Sequence, residues 1–119
     1  MDKVTLLNGI AERFDAEPQY LWAKFPEYAV FRHTGDKQKW FGAYMPVAAE
    51  KIGYKSGGNV ALLNVKCPPE MVGGLRRMQG VLPAYHMNKT HWVSLVLAEA
   101  DADLVWELLA QSFMLTKSR

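Results

Sequence analysis

Three histidines, one cysteine and a scatter of lysines and arginines are the residues of this 119-residue chain whose types could carry chemistry. His86 and His91 bracket Asn88-Lys89. A two-residue turn there would make Met87 and Thr90 its flanking pair and set the two imidazoles directly opposite each other. Cross-strand imidazoles can hold a metal, and His33 could supply a third nitrogen. No carboxylate or cysteine stands at a ligand spacing beside them, so a structural pair near Trp92 is the preferred reading, with no metal or other cofactor expected. Cys67 has no neighbour pattern that would activate a thiol and reads as a small hydrophobe at a strand end. As the only cysteine it rules out an intramolecular disulfide and points to a reducing compartment, the cytoplasm. There is no GxSxG elbow, phosphate-binding GxxxxGK[ST] loop, HExxH or GxGxxG, and alternation would point Ser94 and His91 to opposite faces of a strand. A non-enzymatic protein with no catalytic residues is expected.

Charge gives the more positive lead. Residues 28–91 hold nine Lys or Arg against three acids, whereas the two ends together hold five basic and nine acidic residues, within a net charge of only +2. A basic middle between acidic ends favours anionic partners, nucleic acid being the common one, although a merely solvated face has the same composition. Half the residues are apolar and 22% are charged, the balance of a globular domain, and the length suits a single domain over 1–119. No apolar run approaches the ~20 residues that cross a bilayer, and the N-terminus lacks the pattern of a signal peptide. No membrane association is expected.

The elements that must position these residues follow from periodicity and punctuation. Leu6, Leu7, Ile10, Ala11 and Phe14 recur at helical spacing between Val4 and Ala16, and Pro18 is placed to stop that helix. Tyr20, Leu21 and Trp22 read as an aromatic plug beneath the loop around Pro26. Strands are expected at 29–34 and 40–47 about a turn at Gly35-Asp36-Lys37-Gln38, and at 60–67 after Gly57-Gly58-Asn59. The conformation of 48–54 is open. Pro68-Pro69-Glu70 opens a helix to about Gln79, weakened by Gly73-Gly74 and ended by Gly80. Strands at 84–87 and 91–97 flank the Asn88-Lys89 turn, and a last helix starts from Asp101 or Asp103 with Leu104, Val105, Leu108, Leu109, Ser112 and Phe113 as its buried stripe. The order α-β-β-β-α-β-β-α implies an α+β two-layer sandwich, a largely antiparallel sheet with its helices on one face.

Alternation also says what the other face would carry. If Leu63, Val65, Val93 and Leu95 meet the helices, Asn64, Lys66, Trp92 and Ser94 lie on the far side, where Arg32 and Tyr44 could join them. Cations beside an aromatic surface suit a nucleic-acid platform. A half-exposed Trp over a small second cluster, with Lys66 lying across it, is the plainer alternative.

The stretch Pro83-Ala84-Tyr85-His86-Met87-Asn88-Lys89-Thr90-His91-Trp92 resembles the P-x-Y-H-x-N-K-x-H-W signature of the MmcQ/YjbR family. Its motif residues are Pro83, Tyr85, His86, Asn88, Lys89, His91 and Trp92. Val65-Lys66-Cys67-Pro68-Pro69-Glu70, Val30-Phe31-Arg32 with Lys39-Trp40-Phe41-Gly42, and Ser112-Phe113 extend the similarity over nearly the whole chain. Met45–Gly58 is longer and richer in glycine than the family pattern. The resemblance implies a CyaY-like fold described as a double-wing DNA-binding arrangement. The acidic residues of the first helix region (Asp2, Glu12, Asp15, Glu17) are too sparse for the iron-binding ridge that a frataxin-like fold would need. The expectation is therefore a monomeric binding module for DNA, with Arg32, Lys66, Arg76, Arg77, Lys89 and Trp92 as contacts. The alternative is a protein-interaction or small-ligand module, with an open face or groove around Trp22, Trp40 and Trp92 and no nucleic-acid role.

Overall fold

A computed structural model describes residues 1–35, 38–55 and 57–117; Asp36 and Lys37 of the expected first turn, Ser56 and the last two residues lie outside them. The elements are α1 (Lys3–Phe14), β1 (Ala29–Arg32), β2 (Trp40–Ala48), β3 (Asn59–Lys66), α2 (Val72–Leu75), β4 (Val81–Pro83), β5 (Trp92–Val96) and α3 (Ala102–Thr116). All strand pairs are antiparallel, in the spatial order β1-β2-β3-β5-β4. The expected order of elements and the two-layer α+β architecture are what the chain adopts.

Local chemistry sets the ends of the helices. Asp2 caps α1 by accepting from Thr5 N at 2.8 Å, and Asp15 ends it in the left-handed region at φ 52°, three residues before Pro18. Asp101 caps α3 by accepting from Leu104 N. The helix expected over 68–79 shrinks to a 3₁₀ turn (Pro69–Met71) and the single turn of α2. Two adjacent glycines lack the backbone economy of a helix former and leave little but Leu75 to bury, so propagation fails there.

One face of the sheet receives the helices. Leu6 and Ile10 from α1, Leu75 from α2 and Val105, Leu108 and Leu109 from α3 pack with Phe31, Phe41, Leu63, Val65, Val93 and Leu95. Strict alternation breaks in β2. Phe31 pairs with Gly42 but Arg32 pairs with Trp40, so Phe41 is an extra residue with no partner on β1. Through this bulge Phe41 joins the helix-side cluster, while a side chain at Gly42 would also meet Phe31 and Leu109 there. Trp40 is thereby turned to the opposite face. Ser112 of α3 closes the ladder where the bulge opens it: its hydroxyl accepts from Lys66 N (2.9 Å) and donates to Phe41 O (2.6 Å).

The second face is not open. Val30, Ala43, Met45, Val47, Leu62 and Val96 form a smaller cluster there, covered by Trp22 and Tyr28 from the loop before β1, Ile52 and Tyr54 from the segment after β2, and Tyr85 from the segment after β4. The undecided stretch after β2 is a 3₁₀ turn (Ala49–Ile52) ended by Gly53 at φ 81°. Tyr44, expected on this face, is on the helix side, where the Lys3 ammonium lies 5.4 Å from its ring.

Gly80 is the position where backbone freedom is needed most. It has φ +80°, and a Cβ on it would stand 2.5 Å from Ala100 N. Gly80→Ala is expected to destabilise the protein by roughly 2–4 kcal/mol, strain and overpacking acting together. Urea denaturation checks this, with Gly57→Ala, an open site, near neutral.

Candidate binding face around Tyr85 and His86

At the centre of the second face lie two polar side chains that alternation placed there, Asn64 and Ser94, cross-strand partners on β3 and β5. Both are fully buried. Ser94 Oγ donates to Asn64 Oδ1, and the pair divides the Tyr85 peptide between them. Tyr85 N donates to Ser94 Oγ at 2.8 Å, and Asn64 Nδ2 donates to Tyr85 O at 2.9 Å. A buried amide left without partners costs about 1–3 kcal/mol, so this closed set fixes the chain at Tyr85.

That anchorage replaces the expected hairpin. β4 pairs with β5 as Leu82↔Ser94 and Pro83↔Val93, a register that does not bring His86 opposite His91, and Ala84–His91 is a connecting loop rather than a strand and a tight turn. Asn88 is not the left-handed residue. Its Oδ1 accepts from Thr90 N (2.8 Å) and His91 N (3.2 Å), a local turn that consumes the side chain. His86 takes the left-handed conformation instead, at φ 57°. The histidine pair is therefore absent, and among the described residues no group of three His, Cys, Asp or Glu comes together as a metal site.

Two cavities flank this loop and meet at His86. One, about 290 Å³, is walled by Trp22, Phe25, Tyr28, Trp40, Met45 and Met87. Trp22 stands edge-on to Tyr28 at 6.0 Å and to Trp40 at 5.7 Å, and Phe25 stacks on Tyr28 at 4.6 Å. The loop carrying them is tied to β1 by paired hydrogen bonds between Gln19 and Val30. Burial pushes the Tyr28 phenol pKa up, with Tyr85 adding to the effect. The other cavity, about 380 Å³, is lined by Lys51, Ile52, Leu82, Tyr85 and Lys89.

The six expected contacts divide. Lys66 and Trp92 are cross-strand neighbours at one end of the sheet, both half-buried, and Lys89 lies three residues before Trp92. Arg32 lines a separate cleft of about 80 Å³ with Phe14, Asp15, His33 and Phe113, and its Nε is buried without a partner. Arg76 and Arg77 are exposed just beyond α2, whose Leu75 packs on the helix side. Of the remaining motif residues, Pro83 closes β4 and His91 is exposed, its carbonyl accepting from Cys67 N at 2.8 Å. Lys51, Trp22, Phe25 and Trp40 complete the cavities without having stood among the expected contacts. Trp22 and Trp40 belong to the groove of the alternative reading, the density of aromatics at 20–28 signals Phe25, and nothing in the sequence singles out Lys51.

His33 is half-buried and held in place by α3. Thr116 Oγ1 donates its proton to Ser112 O, so it accepts from His33 Nε2 at 2.8 Å, and the ring lies 4.3 Å from Phe113. Burial lowers the His33 pKa, a hydrogen bond to the Phe113 carbonyl opposes it in part, and Lys117 and Lys39 lower it further. The unfolded chain thus takes up a proton before the native one does, and stability is expected to fall as pH drops below the ordinary value of 6.5. Thermal melts between pH 7.5 and 5 check this, with His33→Gln flattening that part of the profile. In the loop, Asn64→Ala orphans the Tyr85 carbonyl and Ser94, an expected loss of about 2–4 kcal/mol. Amide exchange at residues 84–91 should accelerate more than in α3.

Comparison with known proteins places this arrangement among relatives. The YjbR family model matches residues 12–115. The uncharacterized protein YyaQ of Bacillus subtilis is 45% identical over 113 residues, covering 94% of this chain and 95% of that protein. A crystal structure of a protein from Pseudomonas syringae superposes with a TM-score of 0.94 at 40% identity, covering 98% of this chain and all of that one. The crystal structure of Deinococcus radiodurans protein DR2400, of the DUF419 domain family, gives 0.75 at 25% identity, covering all of this chain and 81% of that one.

Proposed function

The chain belongs to the YjbR family, and on that premise we propose that it is a non-enzymatic, monomeric, cytoplasmic binding module that engages DNA through the surface around Lys66, Lys89 and Trp92. The observation that carries the reading is the Lys66–Trp92 pair. A lysine and a tryptophan are cross-strand partners on β3 and β5, which starts both side chains from the same face of the sheet, and a second lysine stands on the adjoining loop. Lysines of this kind neutralise phosphates, and an aromatic edge adds contact that does not depend on sequence. Arg32, Arg76 and Arg77 lie apart from that group and drop out of the proposed interface.

Two serine hydroxyls and the thiol have structural occupations. Ser94 and Ser112 complete buried hydrogen-bond sets, and Cys67 is buried, its thiol pKa pushed up by burial. A thiol so raised is a poor nucleophile, which supports the non-enzymatic reading. No helix among the described residues is long and apolar enough to cross a membrane.

Fluorescence anisotropy with short labelled duplex and single-stranded DNA tests the proposal. Binding is expected at low salt and should weaken steeply as salt rises. Lys66→Glu and Lys89→Glu should each reduce affinity about tenfold, while Arg77→Glu should change it little. No binding at low salt, or equal loss in all three variants, overturns the reading.

A further inference from the structure

We propose that the two cavities meeting at His86 form one ligand site, taking a small molecule with a planar ring body and an attached anionic group, a carboxylate or phosphate. The inference stands on the cavity geometry and is independent of DNA binding. The aromatic half offers indole, phenyl and phenol walls with two methionines, Met45 and Met87, whose flexible thioethers adapt to a flat apolar body. The other half brings two lysines, Lys51 and Lys89, to the lining of one cavity from separate segments of the chain. Among the described residues, no Asp or Glu lines either half.

This distribution decides the sign of the ligand. Aromatic walls alone would also suit a quaternary ammonium. Two lysines in the adjoining half, with no carboxylate among the described lining residues to offset them, oppose a cation and favour an anion. Size agrees, since a drug-sized ligand typically occupies about 300–1,000 Å³. The aromatic half at about 290 Å³ holds a ring system, and the lysine half at about 380 Å³ leaves room for its charged group.

The divide between the halves is held rigidly. His86 is exposed, in the left-handed region, and its ring lies 4.0 Å from that of Tyr85. A non-glycine residue in that region is uncommon and is kept there by its surroundings. Here the Tyr85 peptide is locked from below by Asn64 and Ser94. The imidazole therefore stands at the junction, where ring body and anionic group of a bound ligand would meet.

Titration with 2-naphthoate and 2-naphthyl phosphate, followed by NMR of the four indole N–H groups, tests the site. Saturable shifts at Trp22 and Trp40, with Trp106 unmoved, are expected. The neutral 2-naphthylmethanol should bind at least about tenfold more weakly, and Lys51→Glu, an exposed change that leaves the fold intact, should weaken the anions by a similar factor. Arg77→Glu should leave them unchanged. Trp22→Ala should abolish binding, and its thermal melt and the Trp106 signal report whether the fold persists. Absence of shifts at Trp22 and Trp40 with either anion, equal affinity for the alcohol, or tighter binding of choline overturns the proposal. Because DNA binding is read separately at Lys66, failure of either reading is visible without the other.

Discussion

The buried pair Asn64 and Ser94 is the constraint on which the binding face depends. A sheet this small has helices for only one side, and its second face must be covered by loops. Loops bring peptide groups that need partners, and a wholly apolar surface would offer none. Two polar side chains at adjacent strand positions solve this by meeting both the N–H and the C=O of Tyr85 while bonding to each other. Every donor and acceptor in the set has a direction, so the loop has a single seat. An apolar pair of the same volume would bury as well but would leave the Tyr85 peptide without its fixed position.

A parallel logic operates on the helix side, one residue out of register. The extra residue Phe41 leaves a carbonyl and the Lys66 N–H without strand partners, and Ser112 reaches from α3 to bridge them. The bulge has two effects at once. It gives the helix side a further aromatic ring, which packs with Phe14, Phe31 and Phe113. It also sends Trp40 to the other face, where it becomes a wall of the aromatic cavity. Core and cavity are therefore coupled through one inserted residue, and a deletion at 41 would disturb both.

Alternation in β3 and β5 was legible in the sequence because both strands are regular and central. Leu63, Val65, Val93 and Leu95 face the helices, and Asn64 and Ser94 the opposite side. The same rule misplaced Tyr44 because a bulge has no signature in a single sequence. The turn at Asn88-Lys89 was misread for a chemical reason: asparagine can adopt left-handed geometry or accept backbone hydrogen bonds, and here it does the second. The second face was expected to be open because its cover has no period. Trp22, Ile52 and Tyr85 come from three loops, each contributing one or two residues that patterning cannot connect. Lys51 was missed as a site residue for the same reason, since its partner across the cavity is Lys89, 38 positions away in the chain.

A cover made of loops has a functional consequence that helices would not provide. A helix buries a continuous stripe and leaves no space over the sheet, whereas three loop segments meet imperfectly and leave gaps at their joints. Both cavities lie at such joints, the aromatic one between the 15–28 segment and loop 84–91, the lysine one between the 3₁₀ turn and the same loop. Loop segments also open more readily than a central sheet, so a ligand can enter by small displacements of Phe25 or Met87. The opening has a limit, because Tyr85 is hydrogen-bonded to Asn64 and Ser94 on the paired strands β3 and β5. The result is a rigid divide between two adaptable walls, which allows discrimination of a ligand's two ends while tolerating variation in its body.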